Sequence, residues 1–156
     1  MPDWITHILI PWALFTLLGF KFKQLSQQNI AIILMGALIP DIYKISMITP
    51  LFGIPSEFFF ILHMPIGSLL IAGIVSLFFK DRLNILFLLI LGFSTHYILD
   101  FLMFDGGLYL LYPFSLVKLQ AGIISVVDYN ITLIAIIIAV IVYFIYKTFY
   151  TIKNSS

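Results

Sequence analysis

The 156-residue chain is 62% hydrophobic, 17% aromatic and only 10% charged, which cannot supply the charged surface of a water-soluble domain and reads as an integral membrane protein. Eight basic and seven acidic residues leave a formal charge of +1, too small for a polybasic patch that would hold nucleic acid or an anionic membrane surface. A mean hydropathy of +1.15 excludes a disordered chain, and the absence of cysteine excludes a secreted disulfide scaffold.

A bilayer core takes about 20 apolar residues per helix, and the spacing predicts an all-α bundle of about five transmembrane helices, folded as a single domain over 1–156. The first span, 4–20, carries His7 and ends at the polar stretch 21–29. Without a basic leader or a small-residue cleavage site it does not read as a signal peptide. The second, 30–49, contains Pro40, Asp41 and Lys44; proline removes a helical hydrogen bond, so a helix broken at Pro40 is expected. Spans three, four and five follow at 58–79, 83–104 and 123–146. Between the last two, residues 105–119 are too apolar for an ordinary loop and too short to span, and read as a re-entrant or interfacial cap. The tail 151–156 reads as a frayed end.

If the spans alternate, Lys21, Lys23, Lys80, Arg82, Lys147 and Lys153 fall on one side and Lys118 on the other. The positive-inside rule then places the N-terminus outside and the C-terminus in the cytoplasm of a cell membrane. Ionisable residues within spans are costly and usually face a site or a partner. On this topology His7, Asp41, His63, His96, Asp100 and Asp128 all come to the outer half of the bilayer. His96 and Asp100 are i,i+4 on one helix and share a face, where an imidazole nitrogen and a carboxylate oxygen can meet one ion. With His7, Asp41 and His63 they make three imidazoles and two carboxylates at one depth, a donor set suited to zinc, iron or manganese.

Each residue also has a plainer reading. His96 alone suits a hydrogen-bonded core histidine and His7 an interfacial one. Asp41 and Asp100 suit structural ion pairs with Lys44 or Lys118, and Asp128 suits a cap at the start of the fifth span. Asp105 suits a turn with Gly106 and Gly107, and Glu57 a helix start. Trp4, Tyr109 and Tyr112 read first as an interfacial aromatic belt. It is the shared depth that favours a metal.

The order of motifs is an early histidine, Gly36-Ala-Leu-Ile-Pro-Asp41, His63 followed by Ser68-Leu-Leu, His96-Tyr-Ile-Leu-Asp100, and then Gly107 and Tyr112-Pro-Phe-Ser115. Over residues 7–115 it resembles the membrane-bound metal-dependent hydrolase family of small membrane proteins, which in ligand order is similar to the secreted zinc-dependent phospholipases C. The resemblance implies that Asp41, His63, His96 and Asp100 ligate one divalent metal, zinc by first choice. Asp100 would bridge to a second ion held by His7, Asp41 and Asp100 would be the catalytic carboxylates, and Asp128 would be an accessory. The histidine and glutamate that hold a third ion in the secreted enzymes have no counterpart, since no histidine follows His96, and their N-terminal tryptophan ligand has none because Trp4 is internal. The membrane family tends to carry Arg-Gly and a second histidine near His63, where this chain reads His63-Met-Pro-Ile-Gly67.

The implied activity is hydrolysis of a phosphoester, a lipid phosphodiester or phosphomonoester, by metal-activated water, with membrane lipid as the partner and no nucleic acid. No His-Glu-x-x-His is present, and Gly92-Phe-Ser-Thr-His96 breaks the nucleophile-elbow pattern. Two other readings compete. One is a metal-ion or proton transporter, disfavoured by the scarcity of polar residues in the inner half of the spans. The other is a structural membrane protein whose metal ties the helix bundle together.

Overall fold

The structure, a computed structural model, describes residues 4–42, 61–102, 108–123 and 129–155. It is all-α: α1 (Trp4–Gly19), α2 (Gln27–Leu38), a 3-10 turn (Ile61–His63), α3 (Pro65–Ser76), α4 (Arg82–Leu102) and α5 (Tyr129–Ser155). The described residues contain no strand, only an isolated antiparallel bridge between Leu108 and Leu119.

Prolines set the helix ends that frame the site. Ser26 starts α2 as its N-cap, its hydroxyl accepting from the Asn29 N–H. Because Pro40 has no N–H to continue the ladder, α2 stops at Leu38 and tightens into a 3-10 turn over 39–42. The expected break at Pro40 is therefore present, while the rest of the second span lies in 43–60, outside the described residues. The start of α3 differs from the sequence reading. Pro65 occupies the first helical turn behind an extended Met64 (φ −88°, ψ 152°), since proline suits N1 and pushes the preceding residue out of the α region. His63 thus stands in the 3-10 turn ahead of the helix, not a turn and a half inside it. At its other end α3 stops at Ser76, three residues short of the expected 79, as the N–H groups of Leu77, Phe78 and Phe79 turn back onto Ile74, Val75 and Ser76.

Two helices, Arg82–Leu102 and the stretch Tyr129–Ile152 of α5, are long and apolar enough to cross a membrane, at 21 and 24 residues. Helices α1, α2 and α3 are apolar but shorter, at 16, 12 and 12 residues. The fifth helix also departs from expectation. Ile123 is not helical; its N–H goes to the Leu102 carbonyl, and that of Ala121 to Phe101, tying the segment after the bridge to the end of α4. At the other end helix continues to Ser155, so the tail expected to fray from 151 is helical.

The core lies along the α2–α4 contact, with α1 beside α2, α3 beside α4, and α5 packed chiefly on α1. Among the described residues of α5, Ala135, Ala139 and Val142, in an i, i+4, i+7 row, are the buried ones, while Leu133, Ile134, Ile137 and Ile141 face outward, as lipid-facing residues do. Two glycines set the α2–α4 distance: a Cβ on Gly92 would collide with the Ile33 carbonyl oxygen, and one on Gly36 with that of Leu89. Gly92→Val is expected to force the helices apart and destabilise the bundle by about 3 kcal/mol, toward the upper end of overpacking costs; thermal melting in detergent checks this, and an unchanged midpoint refutes the close packing.

Candidate metal centre

Four elements converge at one end of the bundle. His7 comes from the second turn of α1, Asp41 from the 3-10 turn that ends α2, His63 from the 3-10 turn ahead of α3, and His96 and Asp100 from the last turns of α4. His7, Asp41, His96 and Asp100 are buried and His63 nearly so. Antiparallel chain direction brings the first half of α1 and the last third of α4 to the same level. The five residues that the sequence places at one depth thus stand together at this end of the bundle. Asp128 lies outside the described residues, as do Lys44, Glu57, Asp105, Gly106 and Gly107.

The broken end of α2 orients two of the imidazoles. In a 3-10 turn the Ala37 carbonyl would look to residue 40, which is proline and has no N–H. It accepts instead from His96 Nδ1, at 2.9 Å. The Pro40 carbonyl accepts from His63 Nδ1, at 3.2 Å. Carbonyls only accept, so both Nδ1 atoms carry the proton; in the neutral imidazole Nε2 is then left with the lone pair, the tautomer of metal-ligating histidines with a carbonyl behind the ring.

The Nε2 atoms face carboxylate oxygens. Asp100 Oδ2 lies 3.2 Å from both His63 Nε2 and His96 Nε2, Asp100 Oδ1 lies 3.5 Å from His7 Nε2, and Asp41 Oδ1 lies 3.8 Å from His96 Nε2. A charge-assisted N–H···O bond would bring such atoms to about 2.7–2.9 Å. Two ligands each about 2.0–2.1 Å from a tetrahedral zinc are instead about 3.3 Å apart. The two separations of 3.2 Å suit either a long N–H···O bond or two ligands of one ion, and those of 3.5 and 3.8 Å are too long for a charge-assisted bond. Buried His96 Nε2 makes no well-aligned hydrogen bond among the described residues, its near neighbour being Asp100 Oδ2 at 3.2 Å, an arrangement that an ion between the donors would satisfy. His7 stacks on His96 with ring centroids 4.0 Å apart.

Two groups of donors have their ligand atoms within 4.8 Å of one another: Asp41, His63 and His96, and His7, His96 and Asp100. Both use His96, whose single Nε2 lone pair serves one ion at a time. An ion on Asp41, His63 and His96 with Asp100 Oδ2 would leave His7 and Asp100 Oδ1 as two donors for a second, one short of the three protein ligands usual in a catalytic zinc site.

Sequence reasoning assigns no role to Tyr97 or Ser68, yet these residues hold the His63 turn. Their hydroxyls are 2.6 Å apart and buried; Ser68 Oγ reaches the Leu62 carbonyl at 3.2 Å, and Tyr97 OH the His63 carbonyl at 3.3 Å. Gly67 lets the turn close onto α3, since a Cβ there would strike the Ile61 carbonyl oxygen. The available signal is a tyrosine hydroxyl inside a span directly after His96, which has to find a partner when buried. Tyr97→Phe is expected to weaken metal binding about tenfold while the bundle stays folded, as loss of an outer support does; competition with a chromogenic chelator measures it.

The fold and the cluster together define a helical integral membrane protein with a buried histidine–aspartate centre at one end of its bundle. Residues 1–155 match the YdjM inner membrane protein family, and the chain belongs to it. Nothing among curated proteins or solved structures matches the sequence.

Proposed function

We propose that the protein is a membrane-embedded metal-dependent hydrolase of phosphoesters, with a membrane lipid as substrate. The observation that carries this reading is the set of imidazole and carboxylate donors held 3.2–3.8 Å apart, with His63 and His96 turned by backbone carbonyls so that their Nε2 atoms point inward. A divalent ion bound there, zinc by first choice, would polarise a phosphoryl oxygen and lower the pKa of water. The chain's own part is to keep the donors fixed and dry, by the α2 carbonyls and the Ser68–Tyr97 pair, and to leave one side accessible. That side is His63: its side chain is 13% exposed, against 6% or less for the other donors. Asp41 and Asp100 supply the negative charge that retains the cation, and Asp41 Oδ2, which faces none of the imidazoles at ligand distance, is the oxygen left to accept a proton.

The transport reading is disfavoured by the interior. The buried polar side chains deeper in the bundle are Thr16 and Ser76 among the described residues, too few to line a route for an ion. The test is a screen of purified, metal-loaded protein in mixed micelles against phospholipids and isoprenoid phosphates, reading released headgroup or phosphate. Turnover is expected for wild type and absent for the His96→Ala, Asp100→Ala double variant; equal turnover in both sinks the proposal.

The site is further proposed to face outward, with the C-terminus in the cytoplasm, on the distribution of lysines and arginines. Because the chain has no cysteine, single-cysteine variants report orientation cleanly. Leu116→Cys, beside the site end, is expected to react with an impermeant maleimide on intact cells, and Lys80→Cys only after permeabilisation; the reverse pattern inverts the topology.

A further inference from the structure

At the end of the bundle opposite the histidine–aspartate cluster lies a cavity of about 360 Å³ between α1, α5 and the entry to α2. Its walls combine three features. Thr16 lines it, is 2% exposed, and has an Oγ with no hydrogen-bond partner among the described residues. Helical threonines ordinarily bond back to the preceding turn, as Thr148 and Thr151 do here. Ser26 and Gln27 bring the N-terminus of the 12-residue α2, where the first N–H groups lack helical partners and the helix dipole is positive. Lys23 adds a full positive charge. Against this polar side stand Phe20, Tyr146 and Tyr150.

The cavity does not stand alone. One turn further along both helices a second, apolar hollow of about 430 Å³ is lined by Trp12 of α1 and by Val140 and Tyr143 of α5. Trp12 and Thr16 are i,i+4 on α1, and Tyr143 and Tyr146 are i,i+3 on α5, so the hollow and the cavity lie on the same rows of each helix. A small anion would fill the polar end and leave the apolar hollow empty. We infer that this groove binds a glycerophospholipid with an anionic headgroup, its phosphate at Thr16, Lys23 and the α2 N-terminus and an acyl chain along the α1–α5 groove. Helix N-termini and lysine are general phosphate receptors, and Lys21, Lys80, Arg82 and Lys147 concentrate basic charge at this same end, where the leaflet carrying anionic lipid is expected. The site is independent of the proposed hydrolase centre and shares no residue with it.

The test uses the full chain purified in detergent and exchanged into micelles doped with phosphatidylglycerol or phosphatidylcholine, with bound lipid counted by native mass spectrometry. Wild type is expected to retain phosphatidylglycerol about tenfold over phosphatidylcholine, and Thr16→Val and Lys23→Gln each to lose most of that preference. Thr16→Val is nearly isosteric and breaks no hydrogen bond to the described residues, so folding is preserved; an unchanged thermal midpoint in detergent confirms it. Val140→Trp, which fills the apolar hollow, is expected to reduce retention of both lipids. Equal retention of the two lipids by wild type overturns the inference, as does a preference that survives both polar variants. Displacement of phosphatidylglycerol by millimolar inorganic phosphate would overturn the lipid assignment in favour of a free anion.

Discussion

Asp100→Asn is expected to abolish metal binding and leave the bundle assembled. Asp100 is the donor that all three histidines share, with Oδ2 facing His63 and His96 and Oδ1 facing His7. The amide keeps the shape of the carboxylate, so packing in the last turns of α4 is retained, but one negative charge is lost and one of the two oxygens becomes an N–H₂ that cannot ligate. Asparagine would turn its donors toward lone pairs at His63 or His96, stabilising the empty site while weakening the loaded one. A loss of at least about 100-fold in affinity is expected, exceeding the 10–100-fold effect of removing an outer support. Metal per chain, by mass spectrometry on detergent-purified protein, would fall from about one to near zero. An Asp100→Asn protein that still carries stoichiometric metal would sink the assignment of Asp100 as a ligand, and with it the proposed hydrolase centre.

Much of this centre is legible in the sequence because its cause is local. His96 and Asp100 share a face by helical periodicity alone, Pro40 announces the end of a helix beside Asp41, and charged residues inside apolar spans have few reasons to be there. Those residues do come together with His7 and His63. What cannot be read from spacing is set by three-dimensional contact. The continuous hydropathy of 58–79 outweighs the Pro65 signal for a helix start, so the sequence reading puts His63 on a helix when it stands in the turn before one. Pairing of the Ala37 and Pro40 carbonyls with two imidazoles depends on which backbone groups the broken helix leaves unpaired and what lies opposite them. The Ser68–Tyr97 pair joins residues 29 positions apart on different helices. Likewise Gly36 and Gly92 read as ordinary apolar positions until their helices are seen to touch. The segment 105–119 is expected to lie at the interface; from Leu108 it folds back through the Leu108–Leu119 bridge, with Phe114 94% exposed at its tip.

Removing the metal is expected to cost stability as well as activity, because the donors come from α1, the end of α2, the turn before α3, and α4. A cation on them adds ties where packing is thin: α1 meets α4 only sparsely, and the His63 turn is joined to its surroundings through Ser68, Tyr97 and the Pro40 carbonyl. A ligand present at a thousandfold its dissociation constant stabilises the folded state by about 4 kcal/mol, which for a chain of this size moves Tm by about 10 °C. Chelator is therefore expected to lower Tm of wild type by roughly that amount, leave Asp100→Asn unmoved, and increase hydrogen exchange around residues 61–68 more than in α5. A wild-type Tm that ignores the chelator, with metal verified as gone, would show that the helices hold the donors without help. The cluster would then be a preformed site, rigid before any ion arrives, as an open catalytic centre requires, and the reading as a metal-tied structural bundle would fail. A large shift in Tm without any lipid turnover would decide the other way, since a closed site can tie helices together and still give a substrate no place at the ion.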